Sequence, residues 1–192
     1  MAQTEGQRRM SGQERWQMAL TLAAEKHNGQ FRIGGQPYIT HPVAVAQLVR
    51  DRGYDADYQI AALFHDLLED TDAKEQEIAE IGGEKVLEAV RLLTKQKGYN
   101  MAEYVAGIRS NPIAFAVKGA DRLHNLRCAL VTDEEFKRRY ILETLDWYLE
   151  FHTEIPAAVK ALAESLSSPL SELSFLYEPV ETWKLTELKK NK

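Results

Sequence analysis

The chain has a single cysteine, Cys128, which excludes a disulfide framework and a thiolate metal cluster. Long apolar runs are missing too, and none approaches the roughly 20 residues that a membrane-spanning helix requires. The stretch from Met1 to Arg15 is polar and lacks the apolar segment of a secretory signal. Basic charge does not predominate. Lys and Arg number 24 against 29 Asp and Glu, a formal net charge of −5, which disfavours non-specific binding to nucleic acid. Total charge describes the whole surface, so a locally basic pocket stays open. Internal repeats, heptad arrays and low-complexity linkers are also lacking. What is present is a globular composition, 28% charged and 44% hydrophobic over 192 residues, enough for one substantial core. The expectation is a single cytoplasmic domain with no membrane and no nucleic-acid partner; a homo-oligomer is compatible with it.

Periodicity is helical throughout. Trp16, Leu20, Ala23 and His27 recur at three or four residues, predicting a first helix from about Gly12. Gly29, Gly34, Gly35 and Pro37 interrupt it and suggest a short hairpin near Arg32–Tyr38. A second helix is expected to open at Thr40 as cap and end near Gly53. Asp57 then caps a third, which buries Ile60, Leu63, Phe64, Leu67 and Leu68 and continues through Asp70. Further helices are predicted up to Gly82-Gly83, over Glu84–Lys95, more weakly over Met101–Ser110, and after Asn111-Pro112. Two more lie near Asp133–Thr153 and Pro156–Ser167. The fold class read from this is all-α, a helical bundle over residues 12–167. Residues 1–11 read as a tail, and 168–192 as an irregular extension packing back through Phe175, Leu176 and Trp183.

His65-Asp66 breaks into the most hydrophobic of these helices. Burying imidazole and carboxylate is costly unless something offsets desolvation, and a divalent metal does so. Glu69 and Asp70 follow four residues after His65 and Asp66, so on one continuous helix they share a patch. His41, at the start of the second helix, and Asp121, at the end of the apolar run Phe115–Ala120, are candidates to complete the shell. Two histidines and two aspartates suit manganese, iron, zinc or magnesium. A buried hydrogen-bonded pair is the competing reading of His65-Asp66 taken alone.

With these residues in hand, the ordered set His41, His65-Asp66 and Asp121 resembles the signature of the HD-domain phosphohydrolase superfamily. The surrounding blocks, from His27 to Arg32, Pro37 to Pro42, Leu63 to Thr71 and Lys118 to Asn125, are similar to the hydrolase domain of RelA/SpoT alarmone enzymes. The resemblance spans about Leu22 to Tyr148. It implies an HD helical bundle that removes the 3′-pyrophosphate of guanosine tetra- or pentaphosphate, with manganese held by His41, His65, Asp66 and Asp121. It also implies catalytic acids at Glu69 and Asp70, a base-packing Arg32, and phosphate or ribose contacts from Lys118, Arg122 and Asn125. Tyr148 matches a nucleotide-contacting tyrosine more loosely. Ile33 stands where the family often has a basic residue. Residues 149–192 are too few for the synthetase domain of the long family enzymes, so hydrolysis without synthesis is expected.

Two other readings compete: an HD hydrolase of another nucleotide, a deoxynucleotide or a 2′-phosphorylated cofactor such as NADPH, and a nucleotide sensor without turnover. His27 and His124 are expected to pack or orient rather than ligate. His152 reads as a surface or helix-end residue, and Cys128 as a small core residue.

Overall fold

The computed structural model describes residues 10–167; residues 168–192, with Phe175, Leu176 and Trp183, lie outside them, as do residues 1–9 of the tail. Polar residues with short side chains start most of the helices. In α1 (Gly12–Lys26) the Ser11 hydroxyl accepts from the Glu14 N–H while the Glu14 carboxylate accepts from the Ser11 N–H. α2 (Thr40–Asp51) lacks such a cap, because Thr40 is already helical and its hydroxyl donates to the Pro37 carbonyl. The cap of α3 (Ala56–Phe64) is Asp55 rather than Asp57; its carboxylate accepts from the N–H groups of Asp57 and Tyr58. After α4 (Leu67–Asp70), α5 (Glu75–Gly82) and α6 (Glu84–Leu93) come α7 (Met101–Ser110) and α8 (Pro112–Cys128), capped by Asn100 and Asn111. A 3-10 turn, Ala129–Val131, leads to α9 (Glu134–Trp147), capped by Asp133, and α10 (Ile155–Glu164) closes the order.

The third predicted helix is two. α3 stops at Phe64, the chain turns at His65-Asp66, and α4 resumes at Leu67. This matters for the site, because a break there frees the two side chains from the faces that a continuous helix would impose. Residues 60–64 have no solvent exposure, so α3 is buried on every side. It packs on α1, α2, α6 and α8. α8 packs in turn on α2, α6, α7 and α10, burying Val117, Ala120, Leu123 and Leu126. Each such side chain removed from water contributes about 1.5–3 kcal/mol, which holds the two central helices, and hence both ends of the site, in fixed relation.

Gly119 sets how closely α8 meets the turn after α9. A Cβ there would overlap the backbone carbonyl of Phe151. Gly119→Ala is therefore expected to destabilise the protein by about 1–3 kcal/mol, read as a lower urea midpoint with unchanged slope. His152, in the same turn, is buried rather than superficial, and its Nδ1 accepts from the Glu154 N–H at 3.1 Å. Among the described residues there is no strand. The glycine-rich connection forms one antiparallel bridge, Phe31 with Pro37, closed by Gly35 N–H donating to Arg32 O with Gly34 at φ 105° and Gly35 at φ 82°. No helix among the described residues is long and apolar enough to cross a membrane.

Candidate metal centre

Three separate elements deliver the site. His41 comes from the first turn of α2, His65 and Asp66 from the break between α3 and α4, and Asp121 from the middle of α8. Donor atoms of His41, His65 and Asp121, all buried, lie within 4.8 Å of one another. His41 Nε2 is 3.2 Å from Asp121 Oδ1, and His65 Nε2 is 3.7 Å from the same oxygen. Asp66 Oδ2 borders the group, 3.0 Å from His65 Nε2 and 3.7 Å from His41 Nε2. The structure thus brings together all four residues that the sequence singles out as ligands.

Proton positions test whether a cation suits this cluster. His65 Nδ1 lies 2.7 Å from the Ala62 carbonyl, which can only accept, so Nδ1 carries a proton and donates it. That leaves Nε2, buried without a hydrogen-bond partner, as a lone pair facing two carboxylates. Lone pair against lone pair is repulsive, and a divalent cation resolves it. Without one, the pocket calls for positive charge by another route. Burial opposes the charged form of His65, yet Asp66 and Asp121 outweigh it and push its pKa up to about 10. Burial likewise disfavours ionised Asp66 and Asp121, but His65 beside the first and Lys118 beside the second hold both below the usual carboxylate range. A hard-to-borderline N2O2 donor set fits a divalent first-row metal or magnesium.

The supporting shell contains one residue with an expected orienting role, His124, and one that the sequence did not single out, Tyr38. His41 Nδ1 sits 2.8 Å from His124 Nδ1. Burial, then His41 and Arg32, lower the His124 pKa to about 4, so His124 is neutral and its Nδ1 can accept from His41 Nδ1–H, the tautomer that leaves His41 Nε2 free to ligate. His124 orients, as expected. Tyr38 is the unexpected member: its hydroxyl donates to Asp66 Oδ2 at 2.7 Å and lies 3.3 Å from Asp70 Oδ2. Its position three residues before His41, in the bend leading into α2, was the available signal. Burial and the two aspartates raise its pKa, so it stays protonated. Tyr38→Phe is expected to lower turnover about 10-fold and to leave metal content within a factor of two, since one charge-assisted hydrogen bond is worth about 1.5–3 kcal/mol. A variant with parental turnover would remove Tyr38 from the working shell.

The expected acids diverge. Asp70 turns toward Tyr38, its backbone carbonyl accepting from Gln30 Nε2 at 2.8 Å, and burial followed by Asp66 raises its pKa. Glu69 turns the other way, its Oε2 accepting from the Lys95 N–H at 2.8 Å after α6. The shared helical patch predicted for them is lost with the break at His65-Asp66.

Of the expected substrate contacts, Arg32 and Asn125 face a cavity of about 570 Å³ beside the metal cluster, together with Tyr38, His124, Phe136 and Tyr140. They are wired to the centre: Arg32 Nη2 donates to Asn125 Oδ1 at 2.7 Å, and Asn125 Nδ2 donates to Asp121 Oδ1 at 2.5 Å. Lys118 Nζ donates to Asp121 Oδ2 at 2.9 Å. Arg122 and Tyr148 depart from the expectation. Arg122 is 2% exposed, lies between the rings of Tyr140 and Tyr148, and pairs with Glu143 at 3.1 Å. Tyr148 has no exposed surface, so both form the packed floor and neither presents a group to the cavity. Cys128 is exposed at the cavity wall, a correction to its reading as a core residue; the turn of α8 that carries it runs out past the core.

Comparison with known proteins agrees with this architecture. The HD domain family profile matches residues 19–154. The chain is 33% identical over 177 residues to "GTP pyrophosphokinase rsh" of Brucella ovis, covering 86% of this chain and 23% of that protein. It is 34% identical over 172 residues to "Guanosine-3′,5′-bis(diphosphate) 3′-pyrophosphohydrolase" of Aquifex aeolicus, covering 85% and 24%. With "Bifunctional (p)ppGpp synthase/hydrolase SpoT" of Escherichia coli the identity is 31% over 173 residues, covering 84% and 24%. The chain spans about a quarter of the length of these relatives. A solved structure described as "A metazoan ortholog of SpoT hydrolyzes ppGpp and plays a role in starvation responses" shares the fold, with a TM-score of 0.64 at 24% identity over 78% of this chain and 94% of that one. A buried His-Asp cluster on an all-α bundle, matched by the family profile over most of its length, places the chain in the HD-domain family.

Proposed function

We propose that the chain is a metal-dependent phosphohydrolase that removes the 3′-pyrophosphate of guanosine tetra- or pentaphosphate. The observation that carries the reading is the orphaned Nε2 of His65 facing two carboxylates, in a cluster joined by Tyr38, His124 and Asn125 to a cavity with Arg32 in its wall. His41, His65, Asp66 and Asp121 hold the cation, which we assign as manganese. When bound, such a cation supplies Lewis acidity toward the phosphoryl oxygen and the attacking water. In the reaction a water oxygen bonds to the phosphorus next to O3′, and the phosphorus–O3′ bond breaks. The departing O3′ takes up a proton, and GDP or GTP leaves with pyrophosphate.

The chain's own groups organise that exchange. Asp70, with its raised pKa and its link through Tyr38 to Asp66, accepts the water proton, and Glu69 on the opposite side assists at the leaving oxygen. Arg32 meets the nucleotide within the cavity, and Asn125 holds Arg32 and Asp121 in register. Lys118 keeps Asp121 ionised.

Purified protein with manganese, offered a nucleotide panel, tests the reading. Release of pyrophosphate from guanosine tetraphosphate supports it. Orthophosphate from a deoxynucleotide or a 2′-phosphorylated cofactor moves the activity to another nucleotide, and tight binding without product makes the chain a sensor. Independently of substrate, manganese at 100 times its dissociation constant is expected to stabilise the protein by about 2.7 kcal/mol, and chelator to reverse this.

A further inference from the structure

A second cavity lies away from the metal centre, between the end of α2, the first half of α8 and the turn after α9. It measures about 100 Å³ and shares no lining residue with the cavity that Arg32 borders. Phe115 and Phe151, their rings stacked at 4.5 Å, wall it together with Tyr54, while Arg52, His152 and Thr153 supply a polar edge. His152 distinguishes this space from an ordinary crevice. Its Nδ1 accepts from the Glu154 N–H at 3.1 Å, so that nitrogen is unprotonated and Nε2 carries the ring's proton. Burial and then Arg52 lower the His152 pKa, which keeps the ring neutral, with Nε2–H as its one donor. The residue is 5% exposed, yet among the described residues Nε2 has no hydrogen-bond partner. That atom is not sealed in the core; it opens to the cavity that the ring lines. A donor so placed calls for an acceptor.

Charge and size narrow what that acceptor is. The nearby carboxylates are already engaged, Glu150 with Arg109 at 3.3 Å and Glu154 with Arg127 at 2.7 Å. Arg52 forms no ion pair among the described residues, so the cavity keeps one uncompensated positive charge. Glu150 also borders the cavity, and its charge disfavours a dianion where one arginine is the only cation in the wall. A single negative charge is matched; a second is not. The volume is about three times the ~30 Å³ that a water takes in the liquid, space for a short-chain acid and too little for a nucleotide. The stacked phenylalanines offer an apolar surface to the body of such a molecule.

We propose that this cavity binds a small monocarboxylate, its oxygens on His152 Nε2–H and the Arg52 guanidinium and its short apolar body against Phe115 and Phe151. The site is separate from the metal centre and does not depend on the phosphohydrolase reading.

Isobutyrate and inorganic phosphate are the two probes, each titrated into the ¹⁵N-labelled full chain with diamagnetic magnesium supplied as the metal. Isobutyrate is expected to shift the amides of residues 151–155, Arg52 and Tyr54 saturably, with a Kd of about 1 mM, in keeping with what so few atoms supply. Phosphate is expected to bind at least about 10-fold more weakly at the same amides. Arg52 is exposed, so Arg52→Gln should keep the parental urea midpoint while weakening isobutyrate about 10-fold or more, the loss of a charge-assisted hydrogen bond. Absence of a saturable shift at about 20 times the expected Kd overturns the site. Shifts confined to residues 38–41 and 65–70 put the carboxylate on the metal centre and overturn it as well. Phosphate binding as tightly as isobutyrate overturns the monocarboxylate assignment, and parental affinity in Arg52→Gln overturns the placement of the carboxylate.

Discussion

Asp121→Ala is expected to leave the protein without stoichiometric metal and to lower hydrolysis by about 10³-fold or more, because Lewis acidity of this kind is worth several kcal/mol. The reason lies in what Asp121 touches. Its Oδ1 stands 3.2 Å from His41 Nε2 and 3.7 Å from His65 Nε2, so one oxygen serves both imidazoles. Its Oδ2 neutralises Lys118, a side chain only 12% exposed. Removing the carboxylate leaves that ammonium buried without its counter-ion, a loss of about 3–5 kcal/mol when one partner of a buried pair is deleted. The two consequences separate experimentally. Adding Lys118→Met to Asp121→Ala should recover most of the stability, measured by urea unfolding in chelator, while metal analysis still finds the site empty. Retention of a full equivalent of metal by Asp121→Ala would falsify the ligand assignment.

The second large effect belongs to Asp70. Asp70→Asn is expected to lower kcat about 10²–10⁴-fold, the range for a positioned proton acceptor, with KM and metal content close to parental. The amide can donate to the Tyr38 hydroxyl oxygen while that hydroxyl donates to Asp66, and the Gln30 contact is to the backbone, so local structure should persist. Glu69→Gln is the informative companion. Its carbonyl oxygen can still accept from the Lys95 N–H, so a drop of about 10²-fold would report chemistry rather than a loosened loop. Parental kinetics in Glu69→Gln would instead give that residue to the anchoring of the segment after α6, leaving Asp70 as the acid that matters.

The opposite orientation of Glu69 and Asp70 shows where reading from sequence stops. Spacing of four predicts a shared face only if the helix is continuous, and spacing carries no information about a break at two residues whose own dihedrals stay near helical. Likewise, Asp57 and Asp55 are both good caps, and the choice between them depends on where the buried run must begin to pack on α2.

What the sequence alone determined is the helical class, the glycine-marked connection before α2, and which histidines and aspartates are candidates to cluster. Helical periodicity, left-handed glycine turns and polar groups set in apolar runs are local physics, written in neighbouring residues. Which polar side chains face the cavity was decided by tertiary packing. Arg122 and Tyr148 look as available in the sequence as Arg32 and Asn125, yet Glu143, Tyr140 and the close approach of α8 to the turn at Phe151 draw them into the floor. Tyr38 reaches Asp66 only because the folded connection brings it there, 28 positions away along the chain. Contacts between distant residues follow from how whole helices pack, and no local pattern encodes that packing.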